Sequence, residues 1–297
     1  MSAHAIVIDH FTRRFGSRKA VDDLCLEVPR GSIFGLLGRN GAGKSTTIKT
    51  LLNLVQPTSG RLSILGLDSR ADSVAVRRRV GYVPEEPAYY AWMTVEEILR
   101  FNGSFYPSWD PRLVETLMHR LELPSQGKLR TLSLGTRAKV GLVMALGCRP
   151  ELLILDDPTS GLDPVVRREF LQTIIETVQG DGGTVFFSSQ MLHEMERIAD
   201  EVAILHEGRL LLRASLEGLK ASCKQVRVVY PERVPKSFSL PGLIRIERGA
   251  HEAILTMTSY EPGVEQQLLA QGAESARAED LTLEEIFVET VKGGAHA

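Results

Sequence analysis

Three cysteines in 297 residues are too few for a disulfide scaffold. Cys25, Cys148 and Cys223 fit no metal-ligand spacing and are expected as buried thiols of a reducing compartment. No apolar run approaches the ~20 residues that span a bilayer. The opening "MSAHAIVIDH" lacks a basic region followed by a long apolar core, so it does not read as a signal peptide. Neither sign of charge dominates: 35 Lys and Arg stand against 37 Asp and Glu, a net charge of −2. That balance gives no reason to expect nucleic acid as a partner. The run Arg77-Arg78-Arg79 reads as a solvated helix face. There is no internal repeat, and the only loose segment is the tail "KGGAHA".

What remains is an ordinary globular composition, 43% hydrophobic and 24% charged. The length suits one large core, or a large domain with a small one. "AIVID" and "LCLEV" read as short strands around a turn at Gly16. "GSIFGLLG" is an apolar strand entering a glycine-rich turn, and "KSTTIKTLLNLV" a helix. "GYVPEEP" ends a short strand at prolines. Residues 94–123 read as helical and are interrupted at "YPSWDP", where Asp110-Pro111 has the form of a helix cap with proline at the first position. "LSLGTRAKVGLVMALG" is a helix starting at a cap-like serine. "ELLILDD" reads as a buried strand of the parallel type, and "TVFFSS" and "EVAILHEG" as strands, separated by the helices "DPVVRREFLQTIIETVQ" and "MLHEMERIAD". Strand alternating with helix predicts a parallel α/β core. After about Lys220 the texture changes to short alternating strands ("QVRVVY", "LIRIERG", "AILTMTS") and short helices ("GVEQQLLAQ", "LTLEEIFVETV"), which predicts a small α+β domain. Glu284 and Glu285 in the last helix are expected on a solvated face.

Gly38-Arg39-Asn40-Gly41-Ala42-Gly43-Lys44-Ser45, followed by Thr46, matches G-x-x-x-x-G-K-[ST] between a strand and a helix. Glycines let the backbone wrap until successive N–H groups face phosphate oxygens. The helix beginning near Lys44 turns its positive end toward the same charge. Lys44 is expected to reach the β- and γ-phosphates, and Ser45 to ligate Mg²⁺. "LLILDDPTSGLDP" puts two aspartates at the end of an apolar strand, where an unpartnered carboxylate is costly. An apolar strand ending in aspartate places a carboxylate near the Mg²⁺ of a phosphate loop, so Asp156 is the candidate ligand.

In order and spacing, "RRFGSRKAVDDL", "GRNGAGKST", "GYVPEEP", "LSLGT", "LLILDDPTSGLDP" and "FFSSQ" resemble the nucleotide-binding subunit of ATP-binding cassette (ABC) transporters over roughly residues 5–215. The texture, with "YPSWD" and a C-terminal extension, is similar to bacterial exporters of the drug, antibiotic or lipid-efflux kind. The resemblance implies a P-loop NTPase core of ABC type over 1–218, with a helical subdomain about 86–148. A small α+β accessory domain would then occupy 219–297. It implies ATP and Mg²⁺ as ligands and a second ATP-binding subunit, identical or not, paired head to tail. It also implies transmembrane permease subunits, with the chain cytoplasmic and peripheral on the inner face of the cell membrane. Phe15 would stack on adenine. Ser133 and Gly135 would bind the γ-phosphate of the partner's ATP, and the loop Ser160-Gly161-Leu162-Asp163 would link the two sites. Residues 85–106 would touch the membrane subunits. Tyr89, Tyr90 and Trp92 would lie at that contact or pack within the helical subdomain.

Five positions in four motifs depart from the family pattern, and they cluster on the chemistry. Glu85 stands where the family has a glutamine. Leu134 and Thr136 replace the usual glycine and glutamine of the signature. Asp157 replaces the glutamate that polarises the attacking water, and Gln190 replaces a histidine. Aspartate is one methylene shorter, about 1.5 Å of bond, and misplacing a water by ~1 Å can cost ~100-fold in rate. Gln190 can donate a hydrogen bond but carries no proton charge. Glu85 could bind Mg²⁺, repel the γ-phosphate, or supply basicity that Asp157 delivers poorly.

The expected function is therefore an ATPase subunit of a membrane transporter, of the exporter kind, with hydrolysis impaired. The alternative is a weakly or non-hydrolysing partner in a heterodimeric complex. The two-cassette chains of translation and the coiled-coil insertions of DNA repair are not seen, and no guanine-reading N-K-x-D occurs.

Overall fold

A computed structural model describes residues 3–180 and 182–294 of the chain. The last residues of the tail "KGGAHA", 295–297, lie outside the described residues. The chain divides into two compact units, one of residues 1–191 and 201–212, the other of 192–200 and 213–297.

The larger unit holds an antiparallel sheet and a mainly parallel one. In the first, β1 (His4–Phe15) pairs with β2 (Arg18–Pro29) on one side, through a turn at Gly16, whose φ is +58°. On its other side β1 pairs with β4 (Ser59–Ile64), which carries the short β5 (Leu67–Asp68). The second sheet is made of β3 (Ile33–Leu37), β6 (Val80–Val83), β7 (Leu152–Asp156), β8 (Thr184–Ser189), β9 (Glu201–His206) and β10 (Arg209–Ser215). Their order across it is β10-β9-β3-β8-β7-β6. The pairs β3·β8, β3·β9, β6·β7 and β7·β8 are parallel. Every residue of β3, β7 and β8 is buried, as strands covered on both faces must be. Phe34 and Phe186 stack with centroids 5.9 Å apart. Parallel strands all point one way, so the carboxyl ends of β3, β6, β7 and β8 open onto the same edge, where α/β sheets place their ligands.

Between β6 and β7 the chain is helical: Val95–Gly103, Pro111–Arg120, a 3₁₀ turn at Leu129–Thr131 and Leu134–Leu146. Thr94 and Glu97 form a reciprocal capping box on the first. Asp110 caps the second, with Pro111 at its first position. Helix Pro164–Ile174 follows β7 and continues as a π-turn, Ile175–Gln179. The smaller unit has an antiparallel sheet, β12-β13-β11-β14, made of β11 (Lys224–Val229), β12 (Leu243–Arg248), β13 (Glu252–Met257) and β14 (Ser275–Asp280). Helix Val264–Ala270 buries Val264 and Leu268 in the same core as Val226, Val228, Leu255 and Met257.

One expectation from composition fails. Cys148 and Cys223 are buried, but Cys25 is exposed, because it lies on the polar phase of β2 between the buried Leu24 and Leu26. Glu284 and Glu285 are exposed as expected, although Glu285 also accepts from the backbone and hydroxyl of Thr282 at 2.8 Å.

Candidate functional site

The turn from β3 into helix Lys44–Leu51 is built from close backbone approaches. A Cβ on Gly38 would stand 2.7 Å from the Leu205 carbonyl oxygen. Gly43 has φ +108°, and a Cβ there would stand 2.7 Å from the Ala20 carbonyl oxygen. Only glycine fits both. Gly43 caps the helix with no side-chain hydrogen bond, and no acidic residue occupies the first turn. The first N–H groups of the helix are thus left for an anion.

The Lys44 side chain is buried and folds back, donating to the carbonyl oxygens of Gly38 at 2.7 Å and Arg39 at 3.4 Å. Burial holds its ammonium below the usual lysine range, and the carboxylates of Asp157, Asp156 and Glu85 partly offset that. Asp156, 1% exposed at the end of β7, accepts from Ser45 Oγ at 3.0 Å and Ser188 Oγ at 2.9 Å. The register of β7 on β8 puts Asp156 opposite Ser188. A serine hydroxyl and a carboxylate at this distance are the hard oxygen donors that suit Mg²⁺.

Asp157, the next residue, is 4% exposed and left-handed at φ +45°. Its N–H donates to the Ser188 carbonyl at 3.0 Å and meets Ser188 Oγ at 3.1 Å. Gln190 Nε2 donates to Asp157 Oδ2 at 2.8 Å. The other carboxylate oxygen, Oδ1, is buried without a hydrogen-bond partner. Glu85 follows β6 and lies largely exposed at the rim. Burial first, then the charges of Asp157, Asp156 and Glu86, push its carboxyl above the usual range, against the pull of Lys44.

Lys44, Asp157, Gln190 and Glu85 help to enclose a cleft of about 350 Å³. Of the residues singled out in the sequence, Phe15, Asn40, Gly41, Ala42, Gly43, Lys44, Ser45, Thr46, Glu85, Asp157 and Gln190 line it. Phe15, half exposed, has the Arg13 guanidinium 4.4 Å from its ring centroid. Gly38, Arg39, Asp156, Ser133, Gly135 and Asp163 do not line this cleft; Asp156 lies behind it, on Ser45. Ser133 caps helix Leu134–Leu146, accepting from Thr136 N–H at 3.1 Å. Asp163 caps helix Pro164–Ile174, accepting from Val165 and Val166 N–H at 3.0 Å. A Cβ on Gly135 would lie 3.3 Å from Val166. Tyr89 packs inside the helical region, its hydroxyl on the Arg137 carbonyl at 3.2 Å, whereas Tyr90 and Trp92 are exposed.

Three contributors went unassigned in the sequence. Arg18 and Ala20 line the cleft, and Ser188 ties the two aspartates together. Arg18 and Ala20 stand in "GSRKAVDDL", and Ser188 in "FFSSQ", so their motifs were visible while their roles were not.

A glycine-wrapped phosphate loop after β3, its lysine, and paired aspartates at the end of β7, on the same edge of the parallel sheet, define a nucleotide-binding domain of the P-loop class. The family described as "ABC transporter" matches residues 21–160. The bacitracin transport ATP-binding protein BcrA of Bacillus licheniformis is 39% identical over 211 residues, 70% of this chain and 69% of that one. An uncharacterized ABC transporter ATP-binding protein, YhaQ of Bacillus subtilis (strain 168), is 31% identical over 296 residues, 96% of this chain and 98% of that one. A solved ATP-binding subunit of an ABC transporter superposes with TM-score 0.67 at 30% identity, covering 73% of this chain and 92% of that one. The chain belongs to the ABC transporter family, as an ATP-binding subunit. Members of this family bind ATP, dimerise and work with transmembrane permease components. No helix among the described residues is long and apolar enough to cross a membrane.

Proposed function

We infer that this chain is the ATP-hydrolysing subunit of an exporter of the antibiotic-efflux kind, and that it turns ATP over slowly. The observation that carries this reading is the Asp157–Gln190 hydrogen bond at the mouth of the phosphate-loop cleft. Loop and helix N–H groups would receive the phosphates, with Lys44 exchanging its carbonyl partners for a phosphate oxygen. Ser45 and Asp156 would hold Mg²⁺, which supplies neutralisation of phosphate charge when bound. Asp157 Oδ1 would take the proton of a water as that water's oxygen attacks the γ-phosphorus and the bond to ADP breaks. Gln190 keeps the carboxylate turned that way. The missing methylene of Asp157 sets the water short of its best line, and the rate suffers for it.

Ser133 and Gly135, at a helix N-terminus outside this chain's own cleft, support a head-to-tail pair in which each subunit completes the other's site. Tyr90, Trp92, Phe101 and Phe105 are exposed, with edge-on contacts Tyr90–Phe101 and Phe101–Phe105 at 5.8 and 5.1 Å. Such an apolar face suits docking on a permease, from the cytoplasmic side of the membrane. The likeness to a bacitracin transport protein supports an antibiotic-like cargo.

Steady-state ATPase assays of the wild type, Asp157→Glu and Gln190→His, with and without the permease, test the reading. The expected result is slow wild-type turnover that rises in Asp157→Glu. An ordinary wild-type rate that neither substitution raises would overturn it.

A further inference from the structure

The antiparallel sheet of the larger unit carries a second cluster of chemically active side chains, apart from those that line the nucleotide cleft. Ile8 pairs with Leu26 and Phe11 with Leu24, so Asp9 and His10 on β1 face the single residue Cys25 on β2. This is a β-bulge. His10 is left-handed at φ +47°, and so is Asp23, two residues before Cys25 on β2, at +55°. The bulge turns the His10 N–H onto Cys25 Sγ at 3.3 Å and brings His10 Nδ1 to 2.8 Å from Asp23 Oδ1. Asp9, His10 and Cys25 are exposed, and each offers a ligand atom within 4.8 Å of the other two.

We propose that Asp9, His10 and Cys25 form a surface site for a borderline-soft divalent cation of the zinc class, with Asp23 positioning the His10 ring. A thiolate, an imidazole and a carboxylate, with water in the fourth position, make a tetrahedral zinc set. Asp23 on Nδ1 fixes the tautomer that leaves the Nε2 lone pair for the metal, the usual second partner of a ligating histidine. The Cys25 proton leaves to solvent as the sulfur–metal bond forms. The sulfur donor sets this site apart from the all-oxygen pair Ser45 and Asp156, and discriminates against Mg²⁺. The left-handed residues at the bulge are the kind of backbone outlier that collects at functional sites.

Cobalt(II) titration of the reduced, untagged full chain tests this, because a thiolate bound to cobalt gives a sulfur-to-metal charge-transfer band. The wild type should show that band, saturating at one equivalent, displaced by Zn²⁺ and unmoved by excess Mg²⁺. Cys25→Ser should lose the band while binding ATP as the wild type does, which separates site loss from unfolding. Asp23→Asn, which tolerates the left-handed backbone, should weaken the metal about 10- to 100-fold. A wild type with no band, or a band that survives in Cys25→Ser, would overturn the site. Unchanged affinity in Asp23→Asn would overturn the positioning role.

Discussion

Gln190 Nε2 donates to Asp157 Oδ2 at 2.8 Å, and the opposite oxygen of the same carboxylate is buried with no partner. One oxygen is fixed and the other is free to accept. Gln190→Ala releases the fixed one, so the carboxylate can rotate. Turnover should fall toward the ~100-fold loss that ~1 Å of misplacement brings, while ATP affinity, measured by calorimetry, stays close to wild type. A parallel loss of affinity would mean that Gln190 holds the nucleotide rather than Asp157.

Glu85 gives a pH signature. Its carboxyl is raised by burial and by Asp157 and Asp156, so the neutral form is favoured over what it would be in water. Well above the raised value Glu85 is ionised and repels the nucleotide phosphates. As pH falls through that value it gains a proton and the repulsion fades. Glu85→Gln should therefore bind ATP severalfold more tightly than wild type at pH 8, and the two should converge as pH falls through the raised value. Weaker binding by Glu85→Gln at pH 8 would instead mark Glu85 as a metal ligand.

Gly43→Ala tests the loop backbone. The new Cβ would sit 2.7 Å from the Ala20 carbonyl oxygen, at φ +108°. Strain of about 1–3 kcal/mol is expected, read as a lower Tm together with loss of ATP binding. A variant with wild-type Tm and affinity would show that the loop has room the geometry denies.

Phe15 has one ring face under Arg13 and is half exposed. If its open face stacks on a base, Phe15→Ala should weaken ATP binding by about 1–3 kcal/mol, and GTP by as much, since stacking reads no base edge. Phe15→Trp should retain affinity. A loss confined to ATP would point to a hydrogen bond to adenine elsewhere in the cleft.

The parallel core was legible because strand alternates with helix and "LLILDD" is a continuous apolar run, the mark of a strand buried on both faces. The phosphate loop was legible because its chemistry is local, eight residues between a strand and a helix. The 12-residue reach of β1 and β2 was not, because their ends are polar and held by cross-strand pairing. Ser188 bridges Asp156 and Asp157 only through the register of β7 on β8, which brings together Asp156 and Ser188, 32 residues apart in sequence. Cys25 lies beside Asp9 and His10 only because a bulge sets them opposite. Contacts of that kind depend on pairing across the sheet, which the order of residues along the chain does not display. The left-handed turn at Asp157 was likewise hidden. It suits aspartate, which visits this region more readily than longer side chains, and offers a backbone reason for the shorter acid.

Asp157 as the acceptor of the water's proton is the centre of the account. Single-turnover hydrolysis by Asp157→Asn, beside wild type at matched ATP occupancy, tests it most directly. The amide keeps size and the Gln190 contact region but has lost its basicity, so hydrolysis should fall ~10²- to 10⁴-fold with ATP still bound. Hydrolysis at the wild-type rate by Asp157→Asn would contradict the account.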